Sequence, residues 1–97
     1  GLANVVAALE VDVTTFDCSL GGLGGCRFGP GATGKIVTED LVFMLEAMGL
    51  HTGIDLDALI ATREVLLSGL PDEVIYGNVP EAGLTKDFTY ASERNVK

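Results

Sequence analysis

The chain has 97 residues, of which 47% are hydrophobic and 21% charged, and its formal net charge is −8. This length accommodates at most one small domain, and this composition is typical of a folded chain rather than a disordered one. The acidity and the absence of any Lys/Arg cluster exclude a surface for nucleic acid or for an anionic membrane. No apolar run approaches the roughly 20 residues of a membrane span. Two cysteines are too few for a disulfide framework and suit a reducing compartment.

The first segment has the apolar periodicity of a helix that ends near Glu10. Its apolar stripe consists of Leu2, Val5, Val6 and Leu9. The β-branched and aromatic residues of Val13–Cys18 then predict a short strand. One strand cannot form a sheet, so we expect its neighbours to come from elsewhere. Because the sequence also begins inside a helical pattern, without Met or a cap, we expect a piece of a longer protein.

The segment 21–35 is unusually rich in glycine, which is seven of the fourteen residues from 21 to 34. Glycine allows positive φ and a close approach of backbone N–H groups to a ligand. Ordering so much glycine costs conformational entropy that a simple connection would not require. We therefore interpret this segment as a functional loop.

Two features of this loop suggest chemistry. Residues 29–35 match the phosphate-binding pattern G-x-x-x-x-G-K, but Ile36 stands where a Ser or Thr would hold Mg²⁺. Pro30 also removes an N–H donor from such a cradle, so this interpretation is disfavoured. Cys26 is followed by Arg27, whose charge would favour a thiolate. A small side chain packed under the loop is an equally good interpretation of this cysteine.

Two further helices are predicted after the loop. The second helix of the chain begins with Thr38 as N-cap and ends before Gly49. Its first turn contains Glu39 and Asp40, at positions where carboxylates interact favourably with the helix dipole. Its apolar stripe consists of Leu41, Met44, Leu45 and Met48. The third runs from an N-cap at Asp55 to about Ser68. Periodicity then fades, so we expect residues 71–97 to form an irregular and partly mobile tail.

Four runs of sequence together resemble the carboxyl-terminal part of the 3-hydroxy-3-methylglutaryl-CoA lyase family. They are FDCSLGGLGGC at 16–26, GATG at 31–34, TEDLVFML at 38–45 and HTGIDL at 51–56. The resemblance covers about residues 1–70 and implies an α/β fold, the (β/α)₈ TIM barrel. Residues 1–70 would supply the seventh helix, the eighth strand, the catalytic loop and the closing helices. A loop that leaves the carboxyl end of a strand is where barrel enzymes carry out chemistry.

The same resemblance implies a C–C lyase that cleaves 3-hydroxy-3-methylglutaryl-CoA, or a close analogue, to acetyl-CoA and acetoacetate, as in leucine degradation. It implies a divalent metal, Mg²⁺ or Mn²⁺, an acyl-CoA substrate, the rest of the barrel as partner, and a homo-oligomer. The compartment would be the bacterial cytoplasm, or the mitochondrial matrix in a eukaryote. We expect the 97-residue chain to be inactive alone.

By resemblance, the catalytic residues are Cys26, which takes part in proton transfer, and Glu39, a carboxylate near the site. Five residues would belong to the loop that closes over the substrate, with the glycines acting as hinges: Gly24, Gly25, Arg27, Gly31 and Gly34. Lys35 occupies the position of an asparagine metal ligand, and a protonated lysine cannot coordinate a cation. The histidine pair and the aspartate that complete the metal shell in the family are absent from this sequence.

Two alternatives remain open. One is a Claisen-type condensing enzyme of the same barrel superfamily, although those enzymes lack a Gly-Gly-Cys loop. The other is a degenerate, non-catalytic member with a role in assembly, in which Lys35 has ended metal binding. In the chain by itself, exposed apolar stripes on all three helices would favour self-association, because these faces would lack the sheet that they are expected to cover.

Overall fold

The computed structural model describes residues 1–23, 36–72, 74–84 and 88–94. Five α-helices and one 3-10 turn occur in these ranges. They are α1 (Leu2–Glu10), the 3-10 turn (Leu20–Gly22), α2 (Thr38–Ala47), α3 (Leu56–Gly69), α4 (Asn78–Ala82) and α5 (Ala91–Arg94). Among the described residues, no helix combines the length and the apolar character that crossing a membrane requires.

The caps of the predicted helices agree with the sequence at two positions and differ at one. The carboxylate of Asp55 accepts a hydrogen bond of 3.1 Å from the N–H of Ala58, as expected of an N-cap. Gly49 follows α2 with a φ of +89°. The N-cap of α2, however, is Val37, and Thr38 is the first helical residue. The reason is that Val37 forms a parallel bridge with Ser19, which keeps its backbone extended.

The predicted strand Val13–Cys18 is not formed in the described part of the chain. The described pairing next to this segment is an isolated parallel bridge between Ser19 and Val37. In it, the N–H of Ser19 donates to the carbonyl of Ile36 at 3.0 Å, and the N–H of Thr38 donates to the carbonyl of Ser19 at 2.9 Å. A strand needs neighbours to complete its hydrogen bonds, and the described residues supply no ladder for residues 13–18.

Helix α2 lies at the centre of the fold and contacts α3, α4 and the 3-10 turn. The buried apolar residues are Val5, Leu41, Val42, Leu56 and Ala91. The predicted apolar stripe of α2 is only partly buried, since Leu41 is 4% exposed but Met48 is 49% exposed. The fully buried face instead includes Glu39, Val42 and Glu46, at positions i, i+3 and i+7.

The described residues within 71–97 include helices that the weak periodicity of this tail did not predict. They contain α4 and α5, and Phe88 stacks on Phe43 of α2 with ring centroids 5.1 Å apart. The ring of Tyr90 meets Phe88 edge-on at 5.2 Å, and its hydroxyl accepts a hydrogen bond of 3.0 Å from the N–H of Leu56. These contacts join residues far apart in sequence, so local periodicity does not reveal them.

Candidate functional site

The carboxylate of Glu39 is the centre of a buried polar cluster. Its side chain is 0% exposed, and Oε1 and Oε2 accept hydrogen bonds of 2.9 and 3.0 Å from the N–H of Gly21. Arg63 of α3 donates from Nη1 to Oε2 and forms an ion pair with it. A carboxylate without access to water requires such partners, because an isolated buried charge is very costly.

The same guanidinium nitrogen also holds the segment that follows α3. Nη1 of Arg63 donates to the carbonyl of Tyr76 at 2.8 Å, and the N–H of Tyr76 donates to the carbonyl of Gly21 at 2.6 Å. Both backbone groups of Gly21 are therefore bonded, one to Glu39 and one to Tyr76. We call Gly21, Glu39, Arg63 and Tyr76 the stem cluster, because Gly21 begins the glycine-rich segment.

Gly21 must be glycine for two reasons. Its φ is +64°, which disfavours residues with a Cβ, and a Cβ there would lie 2.9 Å from Cβ of Ile75. The next residue, Gly22, also has a positive φ, at +71°. The turn is closed by Ser19, whose hydroxyl donates to the carbonyl of Leu23 at 2.6 Å. The backbone that leads into residue 24 is thus fixed by hydrogen bonds and by close packing.

Asp40 is bonded to α4 and not to its own helix terminus. Its carboxylate is 8% exposed and accepts hydrogen bonds from two backbone groups at the start of α4. These are the N–H of Asn78, at 3.0 Å, and the N–H of Val79, at 2.9 Å. Asp40 therefore acts as a cap supplied from another helix and holds the tail against α2.

Glu46 attaches the far end of the tail. It is 1% exposed and accepts hydrogen bonds of 2.7 Å from the N–H of Thr52, 2.6 Å from its hydroxyl, and 2.7 Å from the N–H of Ala91. Burial raises the pKa of this carboxyl, but the bonds from Thr52 and Ala91, together with the charge of His51, outweigh burial, so that the pKa lies below its ordinary value.

Of the sequence-predicted site residues, Glu39 lies within the described part of the chain. The other assignments, to Gly24, Gly25, Cys26, Arg27, Gly31, Gly34 and Lys35, lie outside the described residues. They stay predictions. The other cysteine of the chain, Cys18, is half-buried. It lines an apolar cavity of about 420 Å³ together with side chains of α1 and α2.

The described residues do not fit a divalent metal. Among them, no group of three or more His, Cys, Asp or Glu side chains is arranged to hold an ion. The buried carboxylates of Glu39, Asp40 and Glu46 accept hydrogen bonds from backbone N–H groups. These bonds hold each carboxylate toward backbone donors rather than toward a shared ion position.

Sequence reasoning missed Arg63 and the role of the tail. One signal was available: Glu39 and Glu46 are seven residues apart and share a helix face with Val42, which is the spacing of a buried stripe. Two carboxylates on a buried face require donors. Nothing local, however, indicates that these donors are Arg63, 24 residues away, and the backbone of Ala91, 45 residues away.

Comparison with solved structures defines the fold. The crystal structure of the HMG-CoA lyase of Bacillus subtilis superposes with a TM-score of 0.74 and 37% sequence identity, over 84% of this chain and 27% of that one. That lyase is a TIM barrel, and the helix-rich structure described here corresponds to a segment of such a barrel.

Sequence comparison gives the family. The mitochondrial hydroxymethylglutaryl-CoA lyase of Gallus gallus is 46% identical over 69 residues, which are 71% of this chain and 23% of that protein. The (R)-citramalyl-CoA lyase of Chloroflexus aurantiacus is 50% identical over 70 residues, 72% of this chain and 22% of that protein. Residues 1–66 match the HMGL-like family, and the chain belongs to it. It spans less than a quarter of the length of these two relatives.

Proposed function

We propose that this chain is part of an acyl-CoA lyase that cleaves a C–C bond in 3-hydroxy-3-methylglutaryl-CoA or a close analogue, releasing acetyl-CoA and, from that thioester, acetoacetate. The observation that carries the proposal is the HMGL-like match over residues 1–66, which include the glycine-rich segment and Glu39. The similar proteins named above act on hydroxymethylglutaryl-CoA and on citramalyl-CoA. Both are acyl-CoA thioesters, so this substrate class is the best-supported part of the proposal.

Within this proposal, Cys26 transfers a proton during cleavage, and Glu39 supports the loop from inside the protein. The burial of Glu39 favours the second role, because a carboxylate that is 0% exposed and bonded to Gly21 and Arg63 is closed off from the solvent through which a substrate would approach. A general acid or base must reach the proton that it transfers. The divalent metal of the proposed reaction would be held by residues other than the described ones.

The test is a comparison of cleavage and condensation by the full-length protein. Purified protein with Mg²⁺ or Mn²⁺ is given 3-hydroxy-3-methylglutaryl-CoA or citramalyl-CoA, and acetyl-CoA is followed by mass spectrometry. A parallel reaction contains acetyl-CoA with pyruvate or another 2-keto acid. We expect cleavage of at least one thioester. Net condensation with release of free CoA would indicate a condensing enzyme instead, and no reaction with any of these compounds would favour a non-catalytic role.

The chain of 97 residues should show no cleavage by itself, since it spans less than a quarter of the length of the two relatives named above and most of the expected barrel lies outside it. Turnover by this polypeptide alone, with a rate that depends on added metal, would contradict that expectation. The matched sample is the full-length protein at the same molar concentration and metal content.

A further inference from the structure

We propose that Arg63 is a positioning residue of this enzyme, which holds the stem of the glycine-rich segment through Glu39 and the Tyr76 carbonyl. The proposal rests on the lyase function proposed above. Arg63 lies on α3, and its side chain is 10% exposed, with the guanidinium bonded to buried groups. One nitrogen, Nη1, contacts both the Glu39 carboxylate and the Tyr76 carbonyl.

The first function of Arg63 is to balance the charge of Glu39. Apart from Arg63, the described hydrogen-bond donor to this carboxylate is the N–H of Gly21. Removing one partner of a buried ion pair leaves the other charge uncompensated. Without the guanidinium, the buried carboxylate of Glu39 lacks its countercharge and turns toward water, and the Gly21 N–H then loses its acceptor.

The second function is to attach the tail to the stem. Arg63 fixes the carbonyl of Tyr76, and this orients the N–H of Tyr76 toward the carbonyl of Gly21. Gly77 also lies close to this guanidinium, since a Cβ there would be 3.3 Å from Nη1 of Arg63. The family match ends at residue 66, so the backbone that Arg63 attaches lies beyond the matched residues.

Gly21 is five residues before Cys26 in the sequence. A shift of the stem therefore changes where the chain enters the segment that contains this cysteine. In enzymes, a misplacement of about 1 Å by a change far from the chemistry can lower the rate on the order of 100-fold. We expect the loss of Arg63 to lower kcat more than it raises KM, because the stem cluster is buried.

The experiment compares three variants of the full-length protein. Arg63→Met removes both contacts, and Arg63→Lys keeps a cation beside Glu39. The matched control is Glu46→Gln, which alters another buried carboxylate of α2 whose partners are Thr52 and Ala91 rather than Gly21. For each variant we would measure kcat, KM, the melting temperature and the hydrogen-exchange rate of the Gly21 amide.

We expect Arg63→Met to lower kcat about 10-fold or more while KM changes less than about threefold, and the Gly21 amide to exchange faster. Arg63→Lys should recover part of kcat and part of the protection. Glu46→Gln should lower the melting temperature but leave kcat within about twofold of wild type. If Arg63→Met does not fold, Arg63→Lys decides the test. The proposal is then supported if Arg63→Lys lowers both kcat and the protection of the Gly21 amide by more than Glu46→Gln does.

The proposal fails if Arg63→Met, or Arg63→Lys where Arg63→Met does not fold, lowers kcat no more than Glu46→Gln does. It also fails if protection of Gly21 is unchanged in both Arg63 variants. Failure of the lyase function gives a different result. Wild-type protein would then cleave no thioester, and the exchange rate of Gly21 alone would decide whether Arg63 holds the stem.

Discussion

The clearest perturbation of the stem cluster is Gly21→Ala, which adds one methyl group at a position where both the backbone conformation and the packing disfavour a side chain. The φ of +64° costs an alanine about 1–2 kcal/mol, as expected for an L-residue in the left-handed region. The added Cβ would also lie 2.9 Å from Cβ and 3.2 Å from Cγ2 of Ile75. Forcing an extra carbon into a packed interior costs about 1–3 kcal/mol. The sum is a destabilisation of about 2–5 kcal/mol.

Gly49→Ala is the matched control. Gly49 also has a positive φ, +89°, but a Cβ there meets no atom within 4 Å. This variant should therefore carry only the backbone cost of about 1–2 kcal/mol. The assay is urea denaturation of the full-length protein, with the free energy of unfolding compared at constant m-value. If Gly21→Ala is no more destabilising than Gly49→Ala, the inference that close packing against Ile75 excludes a Cβ at Gly21 is wrong.

Two further predictions concern the carboxylates that hold the tail. Asp40→Ala removes the acceptor for the N–H groups of Asn78 and Val79. It should lower the free energy of unfolding by about 1–2 kcal/mol and speed hydrogen exchange of these two amides. Unchanged protection of the two amides would contradict the capping role of Asp40. The lowered pKa of Glu46 stabilises the fold above the ordinary pKa of a glutamate, and this contribution is lost as the pH falls through the lowered value. Unfolding midpoints measured from neutral to acidic pH should therefore fall more steeply for wild type than for Glu46→Gln, and parallel curves would refute this.

The sequence was sufficient where structure depends on neighbouring residues. Helix α1 and the cap at Asp55 both follow from spacing within one helix, and both are confirmed, although Val5 is the buried member of the predicted stripe of α1. The family could also be inferred, because the motifs of residues 16–56 are specific. What local spacing could not supply were partners distant in sequence, such as the neighbours that Val13–Cys18 would need to form a strand.

The buried carboxylates show the same limit most clearly. Glu39 and Asp40 were expected to favour the dipole of α2 from its first turn, yet their oxygens are bonded to Gly21, Arg63 and the start of α4. A first-turn carboxylate and a buried tertiary acceptor have the same local sequence. The distinction depends on what packs against the helix, and that is decided by residues 18 to 39 positions away.

The lyase proposal also makes a specific distinction between the two cysteines. Cys26 is the proposed proton-transfer residue, whereas Cys18 lines an apolar cavity and is assigned no role by the proposal. A positioned acid or base typically contributes about 10²- to 10⁴-fold to a rate. The most direct measurement is therefore acetyl-CoA release from 3-hydroxy-3-methylglutaryl-CoA by the full-length protein, by Cys26→Ala and by Cys18→Ala. We predict a loss of at least about 100-fold for Cys26→Ala and a rate close to wild type for Cys18→Ala. Equal rates in the two variants, or no acetyl-CoA from the wild type, would contradict the account.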